Sequence, residues 1–189
     1  MILYLHGFTS GPQSAKAIAL AERMAARGMA DRFVCPQLPA SPAAAIALAE
    51  GIIAEKVSRG ETPHLVGSSL GGYYATFLAE QHGLKAVLVN PAVAEKVDAT
   101  LFIGPQRFLY TGEEFAFTLT HVDELRAIMV PNLTRPERYW LLVETGDQTL
   151  DYRHAVERYA GARQTVLPGG DHSFTRWADY LDDVIGFCS

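Results

Sequence analysis

Apolar residues along the chain fall into two kinds of run, and their alternation predicts an α/β domain. Short runs rich in β-forming residues are separated by longer runs rich in alanine and leucine with a helical period. The short runs predict strands at 2–5, 32–35, 64–67, 86–90, 139–144 and 164–167. The longer runs predict helices at about 14–27, 42–58, 70–81, 151–160 and 174–186. This order indicates a mainly parallel sheet of about six strands with helices on both faces.

Residues 92–137, called the inserted segment below, interrupt this rhythm because they are too long for a simple crossover. The segment contains turn signals at Gly104-Pro105 and Thr111-Gly112 and a short helical run near 121–129. Its aromatic residues are Phe102, Phe108, Tyr110, Phe115 and Phe117. We interpret it as a cap or lid within a single domain spanning 1–189; the alternative is that its aromatics only pack the crossover onto the sheet.

Composition and charge narrow the classes of partner. The chain has 189 residues, 49% of them hydrophobic and 20% charged, which is ordinary for one globular domain. Its net charge is −5, and its Lys and Arg residues are scattered, which argues against nucleic acids and anionic membranes as partners. Small molecules are the expected partners, and whether the chain forms a homo-oligomer is left open.

The sequence predicts neither a membrane span nor a metal site. The first residues lack the charged segment, long apolar run and cleavage site of a signal peptide, and no apolar run approaches the ~20 residues that cross a bilayer. A soluble, cytoplasmic protein is therefore expected. The two cysteines, Cys35 and Cys188, form neither a disulfide framework nor a metal-ligand spacing, and no cofactor is predicted.

The pentapeptide Gly67-Ser68-Ser69-Leu70-Gly71 is a G-x-S-x-G motif between a predicted strand and a predicted helix. This context is typical of a nucleophile elbow, which makes Ser69 the candidate nucleophile. Glycine is needed two residues before and two after the serine because the backbone approaches itself closely there. The alternative is a glycine-rich turn whose serine caps the helix, and Ser68 is the alternative hydroxyl.

Two more polar groups follow predicted strands at the same edge of the sheet, where open α/β sheets bind ligands. Asp147 follows the fifth strand and His172 follows the sixth, so that Ser69, Asp147 and His172 occur in the α/β-hydrolase order. His172 would accept the serine proton, and Asp147 would orient the imidazole. Asp151 and Glu144 remain alternative acids, although Asp151 also suits a helix N-cap.

Two backbone N–H groups are candidates for an oxyanion hole. Leu70 follows the serine at the start of a helix, where the N–H points outward at the positive end of the helix dipole. His6-Gly7-Phe8 ends the first strand, and the N–H of Phe8 is the expected second donor. His6 itself is interpreted as a structural residue below this loop.

With these residues in place, the chain resembles the α/β-hydrolase superfamily and, within it, the small bacterial YqiA/YcfP-like esterases. The similar segments run through the whole chain: LYLHGF at 3–8, SAK at 14–16, PQLP at 36–39, VGSSLGGYYAT at 66–76, VNPA at 89–92, TGD at 145–147, LDYR at 150–153 and GGDHSF at 169–174. The resemblance implies esterase activity on short acyl or thioester substrates with a triad of Ser69, Asp147 and His172. One departure is Asp171, where an uncharged residue such as Asn is expected.

These observations predict a serine esterase that hydrolyses short-chain carboxylic esters, or thioesters, through an acyl-enzyme on Ser69. Phe8 and Leu70 would bind the oxyanion, and the partner would be a small ester or acyl substrate. Two alternatives stand beside this prediction. One is a non-catalytic α/β-hydrolase scaffold that binds a ligand, since a fold alone does not determine function. The other is an acyltransferase.

Overall fold

The computed structural model describes residues 1–189 and contains a six-stranded parallel sheet. Eight strands are numbered in chain order: β1 (Ile2–Leu5), β2 (Phe33–Val34), β3 (His64–Ser68), β4 (Ala86–Val89), β5 (Gly104–Arg107), β6 (Glu114–Phe117), β7 (Tyr139–Glu144) and β8 (Arg163–Leu167). The main sheet has the order β2-β1-β3-β4-β7-β8, and each neighbouring pair is parallel. The carboxyl ends of these strands therefore share one edge, as the alternation of elements predicted.

The helices cover both faces of this sheet. They are α1 (Ala15–Ala26), α2 (Pro42–Ser58), α3 (Leu70–His82), α4 (Leu119–Ala127), α5 (Tyr152–Arg158) and α6 (Trp177–Phe187). Residues of α1 and α6 pack on one face, and residues of α2, α3 and α5 pack on the other. None of the helices combines the length and the apolarity that crossing a bilayer requires.

Burial on both faces explains why the strands are continuous apolar runs. In β1, Leu3 and Leu5 belong to the core under α2 and α3, while Ile2 and Tyr4 belong to the core under α1 and α6. All four side chains are at most 2% exposed. Because successive side chains of a strand point to opposite faces, a strand covered on both sides needs apolar residues at every position.

Several boundaries differ from the sequence prediction by a few residues. The last helix was predicted from residue 174 but begins at Trp177, because Phe174 adopts a positive φ of 59°. The N–H groups of Thr175 and Arg176 then donate to the Glu144 carboxylate. The second strand is also shorter than predicted, since residues 30–32 form a 3₁₀ turn immediately before it.

The inserted segment contains a β-hairpin that the sequence did not indicate. The prediction of a turn at Gly104-Pro105 is wrong, because these residues open β5, which pairs antiparallel with β6. Pro105 is tolerated there because a strand in a two-stranded ribbon has one unpaired side. The segment also contains α4 and short 3₁₀ turns at residues 94–96, 99–102 and 136–138.

The inserted segment packs onto the loop that follows β1. The ring of Phe8 lies edge-on to those of Phe102, Phe115 and Phe117, with ring centroids 5.7, 6.1 and 5.3 Å away. The N–H of Leu109 also donates to the carbonyl of Thr9 at 2.8 Å. The segment is therefore held next to the carboxyl edge of the sheet.

Candidate active site

Ser69 occupies a strained turn between β3 and α3. Its backbone has φ 55° and ψ −120°, a conformation that non-glycine residues rarely adopt. The neighbouring glycines allow this turn: a Cβ on Gly67 would lie 2.2 Å from the carbonyl oxygen of Gly71, and a Cβ on Gly72 would lie 2.6 Å from Pro91. The N–H of Ser69 donates to the Val89 carbonyl at 3.0 Å, which anchors the turn to β4.

The structure brings Ser69, His172 and Asp147 into one chain of hydrogen bonds. Nε2 of His172 lies 3.0 Å from Oγ of Ser69, and Nδ1 of His172 lies 2.7 Å from Oδ2 of Asp147. A carboxylate only accepts, so Nδ1 carries the proton and Nε2 is free to accept from the serine hydroxyl. The Asp147 side chain is 2% exposed and the His172 side chain 30% exposed. The imidazole is therefore open to a ligand while its carboxylate partner is shielded from water.

Asp147 is held in its ionised form by local hydrogen bonds. Its Oδ1 accepts from the N–H groups of Thr149 at 2.8 Å and Leu150 at 2.9 Å. Burial acts to raise the pKa of Asp147, but the hydrogen bonds from His172, Leu150 and Thr149 outweigh burial and hold this pKa below its usual range. The carboxylate is thus both charged and fixed in direction.

The other carboxylates near this edge bond to other groups. Asp151 is the N-cap of α5 and binds the backbone N–H and the guanidinium of Arg153. Asp171 accepts from the N–H of Ser173 at 2.7 Å, so the carboxylate that departs from the resemblance does not replace Asp147 at the imidazole. Ser68, the alternative hydroxyl, ends β3 and is 6% exposed. Of the candidate hydroxyls and carboxylates at this edge, Ser69 and Asp147 are the two that hydrogen-bond to the His172 imidazole.

Glu144 has a separate position at the end of β7. Its carboxylate is fully buried and forms an ion pair with Arg176, with 2.9 Å between Oε1 and Nε. Burial acts to raise the pKa of Glu144, but hydrogen bonds from Thr175, Arg176 and Asp171 outweigh it and lower this pKa to about 2. Glu144 therefore binds the segment that carries His172 and does not contact the imidazole.

Phe8 and Leu70 line the same cavity as Ser69. A Cβ on Gly7 would lie 3.3 Å from Cβ of Ser69, which shows how closely the loop after β1 approaches the nucleophile. His6 supports this loop from below: Nε2 accepts from the N–H of Leu38 at 3.0 Å, and Nδ1 lies 2.9 Å from the Gly7 carbonyl. Burial lowers the pKa of His6, so the buried imidazole is neutral.

Ser69 and His172 open into a cavity of about 890 Å³, within the usual range for small-molecule sites. The inserted segment and the loop after β1 supply its apolar wall, which includes Phe8, Val97, Ala99, Phe102, Phe117 and Leu125. The lining also includes the polar residues Ser10, Ser14, Lys16, Gln148, Thr149 and Ser173. The candidate nucleophile therefore opens into a cavity lined by both apolar and polar side chains.

Sequence reasoning missed two residues near this site, Asn90 and Lys16. Asn90 directly follows β4 with φ 40° and donates through Nδ2 to the carbonyls of Asp171 and His172. Lys16 lines the cavity and donates to the Ser173 carbonyl at 2.7 Å. The available signal for Asn90 was a polar residue at the carboxyl end of a predicted buried strand, and the signal for Lys16 was the SAK segment of the family resemblance.

The structure holds no group of three or more His, Cys, Asp or Glu side chains that could bind a metal ion. Burial raises the pKa of both Cys35 and Cys188 to about 12, so both thiols are protonated and weakly nucleophilic at neutral pH. Neither cysteine lines the cavity. No cysteine thiol therefore competes with the hydroxyls of the cavity as a nucleophile.

Comparison with solved structures establishes the fold. A protein from Agrobacterium vitis S4 is 20% identical with a TM-score of 0.74, and the match covers 100% of this chain and 87% of the other. The monoacylglycerol lipase of Paleococcus ferrophilus is 15% identical with a TM-score of 0.69, covering 99% and 93%. Alpha/beta hydrolase domain-containing protein 10 from mouse is 17% identical with a TM-score of 0.68, covering 100% and 90%. At these identities the likeness shows the α/β-hydrolase fold.

A protein-family model matches the whole chain. The match covers residues 1–189, and it includes the elbow, the loop after β1 and the segments that carry Asp147 and His172. The chain therefore belongs to the family described as Uncharacterised protein family (UPF0227).

Proposed function

We propose that this protein is a serine carboxylic-ester hydrolase that acts through an acyl-enzyme on Ser69. The observation that carries the proposal is the hydrogen-bonded chain from Ser69 Oγ to His172 Nε2 at 3.0 Å and from His172 Nδ1 to Asp147 at 2.7 Å. The arrangement has the geometry of an activated nucleophile, a general base and an orienting carboxylate. It opens into a cavity large enough for a small ester.

The proton moves between three groups during the proposed reaction. Ser69 Oγ attacks the carbonyl carbon of the ester while His172 Nε2 takes the hydroxyl proton. When the tetrahedral intermediate collapses, His172 gives this proton to the leaving alkoxide or thiolate, and the acyl group stays on Ser69. Water then attacks the acyl-enzyme, its proton goes to His172, and collapse of the second intermediate returns that proton to Ser69. Asp147 keeps the imidazole oriented and stabilises the imidazolium in both halves.

The oxyanion of each intermediate is proposed to accept from the N–H groups of Phe8 and Leu70. Leu70 is the first residue of α3, where helical N–H groups have no intrahelical acceptor. The N–H of Phe8 donates to no protein acceptor, and both residues line the cavity beside Ser69. Such a donor contributes a factor on the order of 10²–10³ to the rate.

The lining of the cavity suggests where the two parts of an ester bind. We assign the acyl group to the apolar side chains of the inserted segment and Phe8, and the alcohol or thiol to polar lining residues such as Lys16 and Thr149. In this assignment the inserted segment acts as a cap that supplies the acyl pocket. A series of p-nitrophenyl esters and acyl thioesters of increasing chain length measures which acyl groups are accepted.

The proposal is tested with a fluorophosphonate probe, which reacts with activated serines. The wild-type protein should be labelled and Ser69→Ala should not, with loss of ester turnover. Ser68→Ala is the matched control, because it removes the neighbouring hydroxyl, and it should retain labelling. Equal labelling of Ser69→Ala and wild type would exclude Ser69 as the nucleophile.

Turnover assays separate the proposal from its rivals. A non-catalytic scaffold would bind ligands in the cavity without consuming any short-chain ester or thioester. An acyltransferase would form the same acyl-enzyme but give acylated product when a competing alcohol or amine is added. Release of free acid as the main product, both with and without the competing alcohol or amine, supports hydrolysis.

A further inference from the structure

Asn90 attaches the end of β4 to the segment that carries His172. Its Nδ2 group donates to the carbonyl oxygens of Asp171 at 3.0 Å and His172 at 3.1 Å. Its Oδ1 accepts from the backbone N–H of Glu144 at 3.1 Å. The side chain is 3% exposed, so none of these groups has water as an alternative partner. One buried amide therefore binds the backbone of His172 to two strands of the sheet.

Glu144 binds the same segment from the neighbouring strand. Its carboxylate accepts from the backbone N–H groups of Asp171 at 2.9 Å, Thr175 at 2.9 Å and Arg176 at 3.2 Å. It also accepts from the Thr175 hydroxyl and the Arg176 guanidinium, each at 2.9 Å. Residues 171–176 thus wrap around a single buried carboxylate. A charged acceptor with this many donors is a strong local restraint.

Arg176 closes the loop that this carboxylate organises. Besides its ion pair with Glu144, the guanidinium donates to the carbonyl of Pro168 at 2.7 Å, which ties residue 168 to residue 176. Gly170 lies so close that a Cβ there would be 1.8 Å from the Glu144 carboxylate. Glu144 and Asn90 therefore hold the backbone both before and after His172 in the sequence.

We propose that Asn90 and Glu144 are positioning residues that set the location of the His172 imidazole between Ser69 and Asp147. Neither residue lines the cavity, so both act through the backbone of residues 171–176. This inference rests on the proposed function, because it assigns their role in the proton transfers by His172. A misplacement of a catalytic group by about 1 Å costs about 10²-fold in rate, so this restraint affects turnover more than substrate binding.

Two variants remove the restraint, and one variant serves as a matched control. Asn90→Gly removes the amide while glycine keeps the φ of 40° without strain. Glu144→Gln keeps the shape but removes the charge. The control is Glu80→Gln, since Glu80 also accepts from a backbone N–H and two hydroxyls, of Thr134 and Tyr139, but at the opposite end of β7. All three variants are expected to lose some stability.

The expected result is a split between kinetic constants. For Asn90→Gly and Glu144→Gln, kcat should fall about 10²-fold while KM changes little. Glu80→Gln should keep kcat even where its melting temperature falls as much as theirs. The far-downfield proton resonance of the His172–Asp147 hydrogen bond should shift or broaden in the two variants and remain unchanged in the control.

Full kcat with an unchanged downfield resonance in folded Asn90→Gly and Glu144→Gln would overturn this inference. So would an equal fall of kcat in Glu80→Gln, because the effect would then follow stability. If Glu144→Gln does not fold, Asn90→Gly decides between the outcomes. Wild-type protein that neither reacts with the probe nor turns over esters would instead refute the proposed function, and the proton resonance would still report whether the two residues position His172.

Discussion

A Cβ on Gly71 would lie 1.9 Å from the carbonyl oxygen of Leu5, so the first turn of α3 touches the end of β1 directly. This contact brings the loop that carries Phe8 close to the start of α3, which carries Leu70. Any side chain at residue 71 would have to push the elbow away from the first strand. The second glycine of the pentapeptide thus allows the close approach between the elements that carry the two proposed oxyanion donors.

Gly71→Ala is expected to destabilise the protein by at least about 3 kcal/mol, because the clash is with backbone that cannot move freely. Gly51→Ala is the control, since Gly51 lies inside α2 with open space around it and should gain about 0.5–1 kcal/mol. Urea unfolding of both variants measures the difference. Near-wild-type stability of Gly71→Ala would contradict the close approach of β1 and α3.

Asp147→Asn is expected to keep the fold and to lower kcat by about 10³–10⁴-fold. The Asn amide can donate to Nδ1, which favours the wrong imidazole tautomer and leaves Nε2 protonated. Asp151→Asn is the matched control: it lies four residues on, caps α5 and should leave kcat within a few-fold of wild type. A larger loss in Asp151→Asn than in Asp147→Asn would reverse the assignment of the acid.

Because Glu144 is ionised in the folded protein, we expect its stabilising effect to be lost in acid. Its folded-state pKa is about 2, below its ordinary 4.5. The ionised carboxylate therefore contributes to the free energy of unfolding above pH 4.5, and this contribution is lost as the pH falls through 2. The stability difference between wild type and Glu144→Gln should therefore be largest near neutral pH and shrink below 4.5. Urea unfolding at a series of pH values measures it. A difference that stays constant down to the folded-state pKa would show that the charge of Glu144 is not what stabilises the loop.

Phe102→Ala is expected to shift the acyl preference towards longer chains, because Phe102 lines the cavity and packs on Phe8 with centroids 5.7 Å apart. The ratio of kcat/KM for octanoyl over butyryl esters should rise several-fold. Leu101→Ala is the control, since the adjacent Leu101 is 80% exposed and does not line the cavity. An equal change in both variants would indicate a general effect on the inserted segment.

Much of the fold could be predicted from the sequence because its signals are local. The six strands of the main sheet and the five helices outside the inserted segment lie within a few residues of their predicted positions, since each is encoded by its own apolar period and end residues. The hairpin of the inserted segment was missed. The Gly104-Pro105 pair at the start of β5 is typical of a turn. The partner strand β6 packs through Phe117 on Phe8, which is far away in the chain and gives no local signal.

The sequence by itself determined which polar residues follow the strands, because a parallel sheet places every strand's carboxyl end at one edge. It therefore pointed to Ser69, Asp147 and His172 as candidates and left Asp151 and Glu144 open. Only the tertiary structure decided that the Asp147 carboxylate contacts the imidazole and that Glu144 and Asn90 bind the backbone around it. The reason is physical. Local propensity and strand order determine at which edge of the sheet a residue lies, whereas the direction of its side chain depends on groups that are distant in the sequence.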